Sequence, residues 1–266
     1  MIKKLPKISI ITPSLNQVSY IDETIRSVLL QHYPNIEYIV IDGGSTDGTL
    51  EVLKNYSNSL TWVSGKDKGQ ADAINKGLTI ATGDIIAYLN SDDIFLPGSL
   101  ETVGSFFQDN PRTLWVTGGC DIIDEKGSKI RSWVTLWKEF WLYNQMLDRL
   151  KGKKNMLKIL NFISQPATFW RQSVVKKIGL FDPNLKFVMD YDYWMRLYQF
   201  GDPGIIRNRL AAFRIHTESK TGRQFRALSH ESFQVVQKYT SNPLLLTAHR
   251  IHGTLTDLSY SRIKPL

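Results

Sequence analysis

The sequence predicts an α/β fold on a mainly parallel sheet, and three observations carry that prediction. Short apolar runs recur along the first 110 residues, amphipathic helical patterns separate them, and polar residues gather where each run stops. Apolar runs without alternation belong to strands covered on both faces. Strands alternating with helices build parallel sheets.

The elements follow in order. Ile8, Ile10 and Ile11 form a first strand that stops at Pro13, and Ile21, Ile25, Val28 and Leu29 repeat at helical spacing. Tyr38-Ile39-Val40-Ile41 ends at Asp42-Gly43-Gly44, and Leu50 and Leu53 begin a second helix. Leu60 to Val63 ends at Ser64-Gly65, Ala73, Ile74, Leu78 and Ala81 mark a third helix, and Ile85 to Leu89 ends at Asn90. Ligands of open parallel sheets bind beyond the carboxyl ends of the strands, so these polar loops are expected on one rim. Later come a strand around Trp115 to Ile123, a turn at Glu125-Lys126-Gly127, and an aromatic, lysine-rich stretch from Trp133 to Phe162. A late strand spans Leu210 to Ile215, and a helical tail runs from about residue 226.

Composition narrows the function classes. The 266 residues are 42% hydrophobic and 22% charged, values of a soluble globular chain. The single cysteine, Cys120, excludes an intramolecular disulfide and fits a reducing compartment. Pro6 and Lys7 interrupt the start, so a secretory signal peptide is not expected, and no window approaches the roughly 20 apolar residues that span a bilayer. The net charge of +8 is uneven: residues 1–110 carry 8 basic and 13 acidic side chains, the remainder 25 and 12. A carboxylate-bearing half joined to a basic half points to a metal or nucleotide site beside an anionic partner, not to nucleic acid.

Four constellations carry chemistry. In Asp42-Gly43-Gly44-Ser45-Thr46-Asp47-Gly48-Thr49, glycines allow close backbone approach and Asp42 can accept from a ribose hydroxyl or a base N–H; the same residues also make an ordinary capped turn. In Asn90-Ser91-Asp92-Asp93, adjacent carboxylates resist joint ionisation unless a cation lies beside them; a turn before Pro97 is the plain alternative. Asp190 and Asp192 open a helix, where the dipole favours them, and either can serve as a general base. In Arg214-Ile215-His216-Thr217-Glu218-Ser219-Lys220, His216 can be a metal ligand or a phosphate donor, while Arg214 and Lys220 can steady a diphosphate; a lone histidine is more often structural.

In this order and spacing the four resemble the inverting family 2 glycosyltransferases of the GT-A fold, over roughly residues 6–220. Ser9 to Asn16 is similar to the opening strand and donor loop, Asp42 to Thr49 to the nucleoside loop, and Asp67 to Gly77 to the donor-contacting helix start. Asn90-Ser91-Asp92 stands at the DXD position, and Asp190-Tyr191-Asp192-Tyr193-Trp194 is similar to the stretch bearing the base. The resemblance implies a donor site of Pro13, Ser14, Asn16, Asp42, Gly44, Asp67, Gly69, Gln70, Asp72, Asn90 and Ser91. It implies Mn²⁺ or Mg²⁺ on Asp92, Asp93 and His216, a base at Asp190 or Asp192, and Gln165, Arg214 and Lys220 toward diphosphate or acceptor.

Departures refine these expectations. Asn90 replaces the first DXD carboxylate, making Asp92 the main ligand and Asp93 an auxiliary one; Met189 replaces an acidic residue, favouring Asp190 and leaving Asp192 open. Ile74 replaces an arginine, leaving the base contact to Asp42 and either Asp67 or Asp72. Neither a QxxRW motif nor the membrane helices of processive synthases is found, so single addition is expected. The expected domains are a GT-A unit over 1–225, with a nucleotide-sugar half at 1–110 and an acceptor half at 111–225, and a helical extension over 226–266. The expected reaction is metal-dependent, inverting transfer from a nucleoside diphosphate sugar, a UDP-sugar foremost, to a glycan or lipid-diphosphate-linked acceptor. Its setting would be cell-surface polysaccharide synthesis in the cytoplasm, with peripheral contact at the inner membrane face through the aromatic, basic stretch. An inactive glycan- or nucleotide-binding module and a sugar-phosphate nucleotidyltransferase are the competing readings; the latter lacks its Arg-containing glycine loop after the first strand.

Overall fold

The computed structural model describes residues 5–130, 133–144, 152–217 and 225–262, with side chains described at 5–130, 135–144, 152–217 and 227–256. The first half alternates as read: β1 (Ile8–Ser14), α1 (Ile21–Leu29), β2 (Ile36–Asp42), α2 (Thr49–Asn55), β3 (Thr61–Ser64), α3 (Gln70–Ile80) and β4 (Ile85–Tyr88). There follow β5 (Ile94–Phe95), α4 (Ser99–Asp109), β6 (Trp115–Ile123), β7 (Lys129–Ile130), α5 (Trp133–Tyr143) and α6 (Lys153–Ile159). A 3-10 turn (Gln165–Ala167) leads into β8 (Thr168–Arg171), α7 (Gln172–Ile178), α8 (Met189–Leu197), β9 (Gly204–Arg214), α9 (Phe225–Tyr239) and α10 (Pro243–Arg262).

One sheet holds these strands in the order β3-β2-β1-β4-β8-β6-β9-β5, with β7 against β6. From β3 to β4 every pair is parallel. β8 runs antiparallel to β4 and β6, and the long β6–β9 pair is parallel again. After β1 the chain builds outward through β2 and β3, then returns to place β4 on the other side. The order reverses at β1, and the loops after β1 and β4 diverge around a crevice of the kind where α/β sheets bind ligands.

Both faces of the sheet are covered, which explains the unbroken apolar runs. Ile8, Ile10, Tyr38 and Val40 join one hydrophobic cluster with Ile21, Ile25, Leu53 and Leu100, while Ile11, Ile39 and Ile41 join the other with Ile74, Leu78, Trp170 and Trp194. Gly77 lets α3 lie close on β1, because a Cβ there would sit 2.4 Å from Ile11 Cγ2. Val235 and Val236 of α9 are fully buried in the same cluster as Trp194 of α8. The described part of the region read as an extension thus completes the core over α8.

Candidate active site

The β1, β2 and β3 ends are level: Ser14 pairs with Asp42, and Asp42 with Ser64. Asp42 is fully buried, and its carboxylate accepts from the Gly44 and Ser45 N–H groups at 2.9 Å, the Ser64 hydroxyl at 2.7 Å and the Ser45 hydroxyl. Asp42 thus shapes its own loop at the rim where a nucleoside contact is expected of it. The β1–α1 loop is stapled to that loop, since Asn16 N–H donates to Ser45 Oγ and Asn16 Oδ1 accepts from Thr46 N–H. Ser14 keeps a buried hydroxyl with no hydrogen-bond partner among the described residues, and Pro13 is buried beside it. Asp67 accepts from Gly69 N–H at 2.8 Å and packs across Gly43, where a Cβ would meet Asp67 Oδ2 at 2.8 Å. Asp72 accepts from Lys68 N–H and pairs with Lys76, contacts that hold its carboxyl below the usual range.

At the β4 end, Gln70 Nε2 donates to Asn90 Oδ1 at 2.7 Å, and Asn90 Nδ2 donates to Gln165 Oε1 and Asp93 Oδ2, each at 3.1 Å. Gln165 in turn donates to the Tyr88 carbonyl. The structure thus joins Gln70, Asn90 and Gln165, residues from three separate segments. Ser91 is buried, and the Thr24 hydroxyl lies within 2.9 Å of its carbonyl.

Asp92 and Asp93 are adjacent but do different work. Asp92 Oδ2 faces His216 Nε2 at 3.0 Å, and the Tyr20 ring packs on the imidazole at 4.7 Å between centroids. Asp93 is fully buried and accepts from Arg214 N–H at 2.9 Å as well as from Asn90. Burial, with the charge of Asp92 beside it, pushes its carboxyl far above the ordinary range. Asp93, expected as an auxiliary ligand, thereby ties the β4 loop to β9 beside Asp92. Arg214, expected toward diphosphate or acceptor, is engaged by protein groups here. It is 1% exposed, and its guanidinium donates to Glu23 and to the carbonyls of Asp92, Asp124 and Glu125. Lys220 lies outside the described residues.

The two aspartates of α8 also part. Asp192 is buried in an ion pair with Arg196 at 2.9 Å and accepts from the Tyr239 hydroxyl at 2.8 Å, so of the two expected candidates for the base it is the one engaged by the protein. Asp190 accepts only a local bond, from Tyr191 N–H, among the hydrogen bonds described. Burial pushes its carboxyl up, while Tyr191 N–H and the charge of Lys138 pull it back. Lys138, on α5, was not singled out by motif. Its signal was helical phase, since it shares a face with fully covered Leu142 and opposes Leu136, Trp137 and Phe140.

The aromatic stretch is an exposed face with fewer free lysines than expected. Leu136, Trp137 and Phe140 are each about half exposed, and the Trp137, Phe140 and Trp141 rings contact one another at 5.0–6.3 Å. Lys153 turns inward to donate to the Leu142 carbonyl at 2.6 Å, and Lys154 reaches Gln199. An open hollow of about 440 Å³ lies beside this face, lined by Glu139, Phe140, Tyr143 and Asn144. Lys151 lies outside the described residues.

Metal-ligating groups of three or more His, Cys, Asp and Glu are absent among the described residues. The facing Asp92 and His216 offer one carboxylate oxygen and one imidazole nitrogen. That donor set fits Mn²⁺ or Mg²⁺ when substrate phosphates and water complete the shell.

Comparisons with known proteins agree with this architecture. The chain is 26% identical over 261 residues to an uncharacterized glycosyltransferase of Rickettsia typhi, covering 96% of this chain and 79% of that protein. A Mycobacterium tuberculosis glycosyltransferase is 29% identical over 216 residues, 78% of this chain and 75% of the relative. The longer Rickettsia felis relative is 30% identical over 222 residues, which cover 80% of this chain and 35% of that protein. Among solved structures, Staphylococcus aureus TarS 1–349 in complex with UDP-GlcNAc superposes with a TM-score of 0.63 at 18% identity, covering 88% of this chain and 71% of that one. The mannosyltransferase PcManGT of Pyrobaculum calidifontis, in complex with GDP-Man and Mn²⁺, gives 0.65 at 16% identity, covering 99% and 77%. Both likenesses are in fold, that of the GT-A glycosyltransferases. Residues 9–179 match the family described as glycosyl transferase family 2, and the chain belongs to that family.

Proposed function

We propose that the chain transfers one sugar from a nucleoside diphosphate sugar to a glycan or lipid-diphosphate-linked acceptor, with inversion and with a divalent ion. The observation that carries this reading is the division of labour among the acidic residues. Asp93, Asp192 and Asp42 are committed to holding the fold, which leaves Asp92 facing His216 and Asp190 near Tyr88 as the carboxylates open to chemistry. TarS with UDP-GlcNAc and PcManGT with GDP-Man and Mn²⁺ support the donor class and the ion.

In this reading the Ser14, Asn16, Gly44 and Asp67 loops surround the nucleoside, and Gln70 and Asn90 border the sugar. Asp92 and His216 would hold the ion, which supplies charge neutralisation on the departing diphosphate. Asp190 accepts the proton of the acceptor hydroxyl as its oxygen bonds to the anomeric carbon; the bond from that carbon to the diphosphate oxygen breaks on the opposite side, and the nucleoside diphosphate leaves. One in-line displacement inverts the anomeric centre. The exposed Leu136, Trp137 and Phe140 face suits stacking on sugar C–H surfaces or shallow contact with a membrane. No helix among the described residues is long and apolar enough to cross one.

The test combines two variants with a donor panel. Asp92→Ala is expected to weaken the Mn²⁺-dependent Tm shift given by the nucleotide sugar, whereas Asp190→Asn keeps the shift and loses turnover. Normal transfer by Asp190→Asn would sink the base assignment. Flotation with anionic and neutral liposomes checks the membrane contact, which Trp137→Ala with Phe140→Ala should abolish.

A further inference from the structure

Tyr20, Glu23 and Thr24 stand at i, i+3 and i+4 where α1 begins, a spacing that puts them on one face. All three reach the loop that carries Asp92. The Thr24 hydroxyl is fully buried and lies 2.9 Å from the Ser91 carbonyl and 2.8 Å from that of Asp93, sharing its proton between the residues on either side of Asp92. Arg214 Nε donates to the intervening Asp92 carbonyl at 2.9 Å, and Glu23 Oε2 accepts from the same guanidinium at 2.6 Å. Three consecutive carbonyls are thus held by α1, two directly and one through Arg214.

The same face meets the histidine. The Tyr20 ring packs on the His216 imidazole, 4.7 Å between centroids at 42°, and the Arg214 guanidinium lies 5.2 Å from the Tyr20 centroid, within cation–π range. The backbone on both sides of His216 is pinned as well: Ile215 N–H donates to the Ile123 carbonyl at 2.9 Å, and Thr217 N–H to Glu125 Oε1 at 3.0 Å. The His216 side chain is 3% exposed, while that of Asp92 keeps 22% open at the rim. None of this is needed to seat the helix, because Ile21, Ile25 and Val28, all fully buried, already anchor α1 in the core. The polar first turn therefore asks for a purpose of its own.

We propose that Tyr20 is a positioning residue for the divalent ion: with Glu23 and Thr24 it makes the first turn of α1 a platform that keeps the Asp92 carboxylate and the His216 imidazole facing each other. The proposal rests on Asp92 and His216 being the protein ligands of that ion. Asp92 and His216 are 124 residues apart in the chain and meet at 3.0 Å, so something must hold each in place. Ligands fixed beforehand lose less freedom on binding, and the groups packed behind a ligand set its orientation. The platform is also continuous with the β1–α1 loop, since Tyr20 N–H donates to the Gln17 carbonyl and Asn16 N–H to Ser45 Oγ. One short run of chain thereby registers the ion's ligands against the loops proposed to surround the nucleoside.

The test titrates Mn²⁺ into the full chain with UDP or GDP present, followed by electron paramagnetic resonance, on wild type, Tyr20→Leu, Tyr20→Phe and Thr24→Val. Tyr20→Leu and Thr24→Val should each weaken Mn²⁺ binding about tenfold, and Tyr20→Phe, which keeps the ring, should stay within about twofold of wild type. Affinity for UDP and GDP measured in EDTA should change by less than about twofold in all three. In the metal-free protein, ¹³C relaxation of the His216 ring, assigned with His216→Gln, should show lower order in Tyr20→Leu and wild-type order in Tyr20→Phe. Unchanged Mn²⁺ affinity in Tyr20→Leu and Thr24→Val overturns the proposal and leaves the ion's ligands as assigned. An equal loss of nucleotide affinity in EDTA also overturns it, because the rim would then have loosened as a whole, as does loss of the folded state in both variants. A wild type that binds no Mn²⁺ with either nucleotide refutes the ligand assignment itself, and the platform with it.

Discussion

Asp190 and Asp192 stand two residues apart on the first turns of α8, yet substitution should separate them. Asp192→Asn breaks a buried pair with Arg196 and leaves the guanidinium uncompensated, so a loss of about 3 kcal/mol by chemical denaturation is expected. Asp190→Asn should cost turnover, about 10²–10⁴-fold, and little stability. The sign follows from burial. The folded protein holds the Asp190 carboxyl above its unfolded value, so ionising it opposes folding. Its contribution falls as pH rises from the unfolded value through the folded one, and Asn should be neutral or mildly stabilising at pH 7. Both aspartates were legible as candidates, and the i,i+4 spacing of Asp192 and Arg196 already hinted which one was occupied. The commitment of Asp93 to Arg214, 121 residues away, was not legible, because it arises only when β9 and the β4 loop meet.

At the scale of elements, two contacts hold the sheet that positions the site. Burial pushes Glu37 of β2 up, but bonds from Lys7, Ser9 and Thr82 outweigh it and bring the carboxyl down to about 2. Its stabilisation is complete above the ordinary carboxylate range and is lost as pH falls from about 4.5 toward 2. Glu37→Gln should therefore cost about 2 kcal/mol at pH 7 and flatten the acid limb of the stability curve. Gly77→Ala would drive a methyl into Ile11 and push α3 off β1, at a cost of about 1–3 kcal/mol in a denaturant melt. The alternation of strands and helices was readable from apolar periodicity alone. The outward aromatic face of α5 was not, because Leu136, Trp137 and Phe140 read as core until the helix phase against β6 is known.

The whole molecule gives a use to its uneven charge. The acidic half builds β1 to β4 and supplies Asp42, Asp67 and Asp92, while the basic half supplies β9, α5 and α8, on the side proposed to receive the acceptor. Part of the basic excess is internal, since Lys153 turns inward and Arg214 is buried, so net charge overstates the free cationic surface. The fold and the rim were legible because strand ends carry the polar loops wherever the sheet is parallel. The roles within the rim were not, because they depend on which carboxylates the fold consumes. The most direct measurement is release of free nucleoside diphosphate from UDP-, GDP- and dTDP-sugars with Mn²⁺ by wild-type protein and Asp190→Asn, with donor binding followed by thermal shift. One donor should bind both proteins and be turned over only by the wild type. Equal release by Asp190→Asn, or no nucleotide sugar that shifts Tm, would contradict the account.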